Sequence, residues 1–587
     1  MEEMMINITI NGKAIEVEPG TTILEAAKKV NVKIPTLCYN PDLPPWASCG
    51  ICIVRMAGSP KMVRACTTPC DNNMNIVTHD PEIIAVRRTV LELILSNHPN
   101  DCLQCPRNGS CELQTLAEEF GLREAPFKKV KNDIPVDDSN PAIVLCPEKC
   151  IRCGRCVKVC QEVQNVWALE FLGRGIKGKI ASAADAPLGE SPCVKCGQCA
   201  AHCPVGAIYE RDDTLKVWKA LQDSETLPVV QIAPAVRVAL AEEFGLAPGT
   251  VFTKKIYAAL RRLGFKTVFD TNFSADLTIM EEGSELVKRL TEKGSTIPLI
   301  TSCCPAWVDY MEKYYNDMIP NFSTAKSPQQ MMGAMIKAYW AAKAGVDPKK
   351  IYSVSVMPCT AKKWETRRND DMKSAGAGYD VDIVITTREL ARMIKQAGIE
   401  IQKLDDEEAD SPLGPYTGAG TIFGVTGGVM EAAVRSAYYL VTKKELPDVN
   451  FKPARGLDGV KEGEVDFGNG TKIRIAVAHQ MGNIAAVLDQ IRAARDAGKE
   501  PPYHFVEVMA CRGGCIAGGG QPYGATDEVR KQRTAGIYAD DEKSQYRCSH
   551  QNPCITQVYK EFLGEPGGHK AHELLHTKYV ERPLYIR

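Results

Sequence analysis

Cysteine supplies most of the chemistry that this 587-residue chain can do. Nineteen of its 24 cysteines, with one histidine, fall into five groups whose spacing suits metal ligation. The most regular group is Cys150-x2-Cys153-x2-Cys156-x3-Cys160, repeated as Cys193-x2-Cys196-x2-Cys199-x3-Cys203. In such a run the fourth cysteine of each copy ligates the other cluster. Cys150, Cys153, Cys156 and Cys203 are therefore expected to hold one 4Fe–4S cluster, and Cys193, Cys196, Cys199 and Cys160 a second. Upstream, Cys38, Cys49, Cys52 and Cys66 follow C-x10-C-x2-C-x13-C. That is a longer-gapped form of the C-x4-C-x2-C opening of plant-type 2Fe–2S proteins, although four thiolates also suit zinc. Between these groups, His98-x3-Cys102-x2-Cys105-x5-Cys111 offers one imidazole and three thiolates. A neutral imidazole in place of a thiolate makes a cluster less negative and tends to raise its potential.

The fifth group is irregular. Cys304, Cys359, Cys511 and Cys515 lie in three distant stretches, TSCCPAW from Thr301, MPCTAKKWE from Met357 and ACRGGCIAGGG from Ala510. Only a large folded domain can gather them. The neighbouring glycines Gly418, Gly420, Gly427, Gly428, Gly513, Gly514 and Gly518–Gly520 allow backbone to approach a bulky group, or simply turn tightly. GAGTIFG is an imperfect nucleotide-loop fingerprint and is discounted. Cys303 is surplus to this group, and its thiol can pass protons. The stretch Thr278–Arg289 reads as helical and sets Glu282, Glu285 and Arg289 on one face. A solvated, salt-bridged face is the plain reading of that trio. Cys70 reads as a buried small hydrophobe, and Cys146, Cys548 and Cys554 are unassigned. His572 and His576 stand one helical turn apart without the glutamate placement of a zinc protease, so packing is expected of them.

The elements that must hold these residues can be read coarsely. Ile6, Ile8 and Ile10 alternate with polar residues, Asn11-Gly12 turns the chain, and Ala14–Val17 returns as a hairpin. Thr22 and Glu25 form a capping box that opens a helix over Ile23–Val30. A second helix is predicted at Ile83–Ser96, and residues 120–145 read as a linker. From Leu227 the texture alternates between buried strands and amphipathic helices: Val229–Ile232, then Val236–Phe244 and Lys254–Leu263. Further short strands are predicted at Val268-Phe269, Ile297–Ile300, Ile351–Val356, Ile383–Ile385, Ile473–Val477 and Phe505–Val508. That is the pattern of α/β layers, and the cysteines of the fifth group follow the strands. Tyr546–Arg587 is expected to be a helical tail.

Composition narrows the class. Hydrophobic residues make up 44% and charged residues 24%, as in ordinary globular protein. A net charge of −1 gives no basic field for nucleic acid or an anionic membrane. No apolar run is long enough to span a bilayer. The acidic N-terminus lacks the features of a secretory leader, so a cytoplasmic location is expected. Long length and two-residue cysteine gaps favour metal thiolates over disulfides.

The N-terminal strand–turn–strand–helix–cysteine-loop order resembles β-grasp ferredoxins. With the His98 group it resembles the 2Fe–2S and His-ligated 4Fe–4S domains shared by multi-cluster iron hydrogenases and the large iron–sulfur subunit of respiratory complex I. The three later loops resemble the signature loops of [FeFe]-hydrogenases, and the likeness covers essentially the whole chain. It implies a multi-domain α+β and α/β protein. The expected domains are a β-grasp domain (1–80), a His/Cys3 cluster domain (81–125), a two-cluster ferredoxin-like domain (140–215), a large two-lobed α/β catalytic domain (225–535) and a wrapping helical tail (536–587). It implies that Cys304, Cys359, Cys511 and Cys515 bind the 4Fe–4S cube of an H-cluster. Cys515 would bridge to a diiron subsite carrying CO, cyanide and azadithiolate. Lys362 would then hydrogen-bond a cyanide nitrogen, and Ala233, Pro234, Ala235, Pro328, Gln329, Met357 and Met509 would line the subsite. Cys303, Glu282, Ser323, Glu285 and Arg289 would form a proton path, with the acids raised in pKa by burial.

The reaction implied is the reversible interconversion of H2 with protons and electrons. No convincing flavin or NAD fingerprint is present, so pyridine-nucleotide chemistry would need other subunits. The expected setting is the catalytic subunit of an NAD(P)-linked, electron-bifurcating complex with flavin/NAD-binding and small iron–sulfur subunits, ferredoxin, and maturases for the diiron subsite. A stand-alone ferredoxin-linked hydrogenase is the runner-up. A non-catalytic electron carrier would account for the first 210 residues but not the three loops. A sensory or iron–sulfur-assembly relative would account for the loops only loosely.

Overall fold

The computed structural model describes residues 5–128, 134–467 and 472–586. Strands β1 (Ile6–Ile10) and β2 (Lys13–Val17) pair antiparallel across Asn11-Gly12, which turn at φ of 49° and 81°. Two successive positive φ angles match the right-handed twist of a hairpin, and Asn-Gly tolerates them. With β3 (Ile53–Met56), β4 (Met62–Arg64) and β5 (Asn75–Val77) they form a sheet of order β2-β1-β5-β3-β4. The helix Ile23–Lys29 starts at the reciprocal Thr22–Glu25 capping box and packs Ile23 and Leu24 onto Ile8, Ile10 and Val54. The next helix spans Pro81–Ser96 and starts two residues earlier than its apolar pattern indicated. Asp80 caps the Ile83 amide and Pro81 occupies the first turn, so polar residues set this boundary. Residues 129–133 of the expected linker lie outside the described residues.

The cysteine repeat sits between β6 (Ile143–Leu145) and β9 (Ile208–Glu210), which pair antiparallel, with β7 (Glu170–Leu172) and β8 (Lys179–Ala181) between them. Beyond it lie two four-stranded sheets. In the first, β10 (Leu227–Ile232), β11 (Thr267–Asp270), β13 (Ile351–Met357) and β14 (Ile383–Thr386) are all parallel, in the order β11-β10-β13-β14. In the second, β12 (Leu299–Ile300), β16 (Lys472–His479) and β17 (Phe505–Met509) are parallel, and β15 (Val460–Asp466) closes the edge antiparallel to β16. The apolar strand segments of the sequence appear here within a few residues. β15 does not, because its VKEGEVD sequence is charged, as suits an edge that must not recruit another strand. Val236–Phe244 is not a continuous element. It forms two short 3-10 turns, Pro234–Val238 and Leu240–Phe244, that break at Ala239.

The 21-residue helix Thr271–Thr291 starts from the Asp270 cap and is buried through its first half, with Glu281, Glu282, Gly283 and Leu286 buried further on. The tail departs from the helical expectation. The helix Asp527–Lys543 crosses the anticipated 535/536 boundary, and residues 577–586 contain no helix. The extended part is held by main-chain bonds, Thr577 N to Thr324 O at 2.8 Å and Arg582 N to Glu312 O at 2.9 Å. Extended backbone is stable where other chain segments satisfy its polar groups. Among the described residues, no helix is long and apolar enough to cross a membrane.

The tail is clasped by a buried ion cluster. Arg435 donates two bonds to Asp541, each 2.9 Å, and one to Glu431 at 2.8 Å, and all three side chains have 0% exposure. Removing one partner of a buried pair typically costs about 3–5 kcal/mol. Asp541→Ala is accordingly expected to loosen the tail by that order, read as proteolytic release of residues beyond 543 at lower temperature than in the wild type.

Candidate active site

The chemistry-bearing loops leave the carboxyl ends of strands in both sheets. β10 runs into Ala233, whose amide donates to Val356 O at 3.0 Å, and then Pro234 and Ala235. β12 leads to Cys303 and to Cys304, the residue that caps the helix Pro305–Tyr314. β13 ends at Met357 and delivers Cys359 just before the helix Ala361–Glu365. β17 ends at Met509 and delivers Cys511, then Cys515 at the turn Cys515–Ala517. Ala233, Ala235, Met357 and Met509 are all buried. Open α/β sheets place sites at such strand ends.

The four cysteines face one another. Burial, then the neighbouring Cys304, pushes the Cys359 thiol up to about 12. Burial and then Cys359, Cys304 and Cys196 raise Cys511 far above the ordinary thiol range. Four thiolates in one dry site are unfavourable without a cation, so the donor set fits a metal cluster. A cube-shaped cluster also fits the spacing better than a single ion. A tetrahedral zinc needs sulfurs about 3.8 Å apart. Among the described residues, none of the four-cysteine sets brings three donors within 4.8 Å of one another. Glycine is required at Gly514 (φ 96°), where a Cβ would lie 2.6 Å from the Thr426 nitrogen and 2.9 Å from Met509 Sδ.

Beside the thiols stands a buried polar network. Lys362 Nζ donates to Cys303 O at 3.1 Å and to Glu365 Oε2 at 2.9 Å. Burial works against its charge, but Glu365 and nearby thiolates outweigh that and hold its pKa up. Glu365 also accepts from Gln329 Nε2 at 3.0 Å and Ser327 Oγ at 2.9 Å, while Ser355 holds Gln329 Oε1 at 3.0 Å. Pro328 anchors the same turn by accepting from Ser274 Oγ at 2.7 Å.

Burial, then Glu282, raises the Cys303 thiol well above the ordinary value. Glu282 is 1% exposed, and among the described residues neither carboxylate oxygen has a hydrogen-bond partner. Burial pushes its pKa up to about 8, with Glu285 adding to the rise and Ser323 and Ser302 opposing it. Ser323 Oγ lies 3.4 Å from Glu285 Oε2, and Glu285 accepts from Arg289 Nη2 at 2.6 Å. Arg289 also donates to the carbonyls of Thr296, Pro320 and Phe322 near the surface. The helical face read in the sequence as solvated is largely buried.

The two cysteine repeats share one backbone conformation. Arg152 and Gly154 have φ of 56° and 79°, and Lys195 and Gly197 have 60° and 74°. The Arg152 amide donates to Cys150 Sγ at 3.3 Å and the Lys195 amide to Cys193 Sγ at 3.4 Å. One cavity is lined by Cys150, Cys153, Cys156 and Cys203. A second is lined by Cys160, Cys193, Cys196 and Cys199. The second repeat abuts the catalytic loops. Gln198 Nε2 donates to Cys511 Sγ at 3.1 Å, and a Cβ on Gly519 would sit 2.5 Å from Cys196 O. Sequence reasoning missed Gln198, because nothing local marks a glutamine that reaches across domains.

The N-terminal groups also assemble. Cys52 and Cys66 sulfurs are 3.3 Å apart, and the Cys49 amide donates to Cys38 Sγ at 3.5 Å. His98 is buried, with Nδ1 3.2 Å from the Asn100 amide. A Cβ on Gly206 would lie 2.4 Å from Cys105 Sγ, so the His98 group packs on the repeat. His572 and His576 do pack: their rings stack at 4.1 Å, and His576 Nε2 is 3.0 Å from Glu281.

Comparison with known proteins agrees with this arrangement. Residues 226–519 match the iron only hydrogenase large subunit, C-terminal domain, and 527–582 match the iron hydrogenase small subunit. Residues 3–81 match a 2Fe-2S iron-sulfur cluster binding domain, 87–126 the NADH-ubiquinone oxidoreductase-G iron-sulfur binding region, and 149–207 a 4Fe-4S dicluster domain. The chain belongs to the [FeFe]-hydrogenase family, oxidoreductases acting on H2. It is 47% identical to the NADP-reducing hydrogenase subunit HndD of Solidesulfovibrio fructosivorans, over 98% of this chain and 99% of that one. It is 40% identical to iron hydrogenase 1 of Clostridium pasteurianum, over 98% and 100%. A solved structure of a variant of [FeFe]-hydrogenase HydA1 from Chlamydomonas reinhardtii superposes with a TM-score of 0.56 at 44% identity, covering 63% of this chain and 99% of that one.

The raised Glu282 carboxyl has a consequence for stability. Its folded pKa lies above the unfolded value, so the folded state binds the extra proton between about pH 4.5 and 8. Stability contributed by this site therefore falls as pH rises through that window. Glu282→Gln removes the ionisation and is expected to stabilise the fold at about pH 8–9 by a few kcal/mol at most, read as a higher melting temperature than wild type, and to leave the melting temperature unchanged near pH 4.

Proposed function

We propose that the chain is the catalytic subunit of a hydrogenase complex, and that Cys303 hands protons between the metal site and solvent. One observation carries the reading: a partly buried thiol, surplus to the four clustered cysteines, stands next to the buried carboxyl of Glu282. Cys304, Cys359, Cys511 and Cys515 would hold the H-cluster, which when bound supplies the site of heterolytic H2 chemistry. Its parts are a 4Fe–4S cube and a diiron subsite with CO, cyanide and azadithiolate. Lys362, fixed by Glu365, would donate to a cyanide nitrogen, and Ala233, Pro234, Ala235, Pro328, Gln329, Met357 and Met509 would keep water out. Glu282 takes the proton from Cys303. Ser323 passes it to Glu285, and Arg289 holds Glu285 near the surface. A carboxyl raised to about 8 is matched to proton transfer near neutral pH.

The accessory clusters would be one 2Fe–2S on Cys38, Cys49, Cys52 and Cys66, one 4Fe–4S on His98, Cys102, Cys105 and Cys111, and two on the crossed repeat sets. The two cavities, each lined by four cysteines from both repeats, support the crossed assignment. Kinship with a subunit named NADP-reducing supports membership of an NAD(P)-linked complex, and ferredoxin linkage, electron bifurcation and a cytoplasmic location belong to the same proposal. Flavin/NAD-binding and small iron–sulfur subunits would complete it, and maturases would insert the diiron subsite.

Infrared spectroscopy on anaerobically matured protein is expected to show CO and cyanide bands together with H2 evolution from a reduced dye. Iron-replete protein without those bands would refute the catalytic reading. Cys303→Ser should lower turnover by about 100-fold or more while leaving iron content and bands in place. Purification of a lone, fully active chain that reduces ferredoxin would favour the stand-alone form.

A further inference from the structure

Outside the cysteine groups, one cluster of side chains has no part in the chemistry described above. Cys548 and His550 lie where the tail begins, and Glu445 lies just past the helix Gly428–Thr442. Their donor atoms all lie within 4.8 Å of one another. We propose that Glu445, Cys548 and His550 bind a divalent transition metal, zinc in the first instance, that clasps the tail to the catalytic domain.

The geometry around the imidazole points to a ligand rather than a simple ion pair. His550 Nδ1 lies 3.2 Å from Ser436 Oγ, a fully buried hydroxyl that can accept the Nδ1 proton. That leaves the Nε2 lone pair free to face the carboxylate. Metal-bound histidines usually have their second nitrogen anchored in this way. Nε2 is 3.1 and 3.2 Å from the two Glu445 oxygens. Two ligands on a tetrahedral zinc stand about 3.3 Å apart, so this edge already has the required length. Gln551 Nε2 orients the carboxylate at 3.1 Å, and Tyr439 stacks on the imidazole at 4.2 Å with the rings 4° from parallel.

A hydrogen bond between His550 and Glu445 needs no third donor, yet the site has one. Cys548 is 2% exposed and in no disulfide. It would bind as the thiolate, releasing its thiol proton to solvent. Thiolate, imidazole and carboxylate together select zinc over magnesium or calcium. Glu445 is 54% exposed, which leaves water for the fourth position. The same turn is held by Arg547, which bonds Asp541 and Asn450, so a metal here would extend the tail clasp outward.

The test is metal analysis of the anaerobically purified, cluster-loaded full chain after gel filtration in equimolar zinc. About one zinc per chain is expected, with one Zn–S distance near 2.3 Å at the zinc absorption edge. Cys548→Ser should lower zinc by about five-fold or more, with iron per chain unchanged. Glu445→Gln, at an exposed side chain, should weaken retention and serves if the serine variant does not fold. Wild-type protein holding less than about a tenth of a zinc per chain, or zinc retained in both variants, overturns the proposal.

Discussion

Everything in this protein is arranged around the cost of holding thiolates in a dry interior. Each cysteine of the catalytic set is driven toward its neutral form by burial, and Cys359, Cys511 and Cys515 also by neighbouring cysteines of the set. The set is tolerable as thiolates only with a cationic cluster at its centre. The surrounding structure answers that constraint with oriented dipoles. Amides of Ala510, Trp307 and Ala306 aim at Cys304, those of Ala361 and Lys362 aim at Cys359, and Gln198 reaches Cys511 from another domain. Parallel strands supply the setting, because their carboxyl ends bring loops from far-apart sequence to one crevice.

The second cysteine repeat and the proposed proton path meet this crevice through different contacts. The second cysteine repeat meets the catalytic loops through Gly197 and Gly519, where added Cβ atoms would collide with Thr360 and with Cys196. That contact needs glycine on both sides and keeps the domains as close as backbones allow. The proposed proton path lies along the helix Thr271–Thr291, which buries Glu281 and Glu282. The tail then covers that face: Tyr559 and His576 reach Glu281, and Tyr579 donates to Ser323 O at 2.9 Å. Thus the tail closes off the interior on which the raised pKa of Glu282 depends.

Much of this was legible in the residues. Fixed cysteine spacings, the Asn-Gly hairpin and the Thr22–Glu25 box are local rules, so chain order alone states them. The short apolar strands were legible because parallel strands buried on both faces read as apolar runs. The charged edge strand Val460–Asp466 was hidden because its sequence is shaped by what it must avoid. The tail was misread as helical throughout, because its extended end pairs with Thr324 and Glu312, residues far upstream in the sequence.

The sequence by itself determined the number and type of donors, their grouping along the chain and the α/β alternation that carries the irregular set. Those depend on spacing and periodicity, which are properties of neighbours. Tertiary structure decided how the donors behave. It buried Glu282 without a partner, turned a helix face that reads as solvated into an interior one, and set Gln198 on Cys511. It also gathered Glu445, Cys548 and His550 from segments about a hundred residues apart. Burial and electrostatics depend on which distant segments meet, and that is fixed only when the two sheets, the repeat and the tail have packed together.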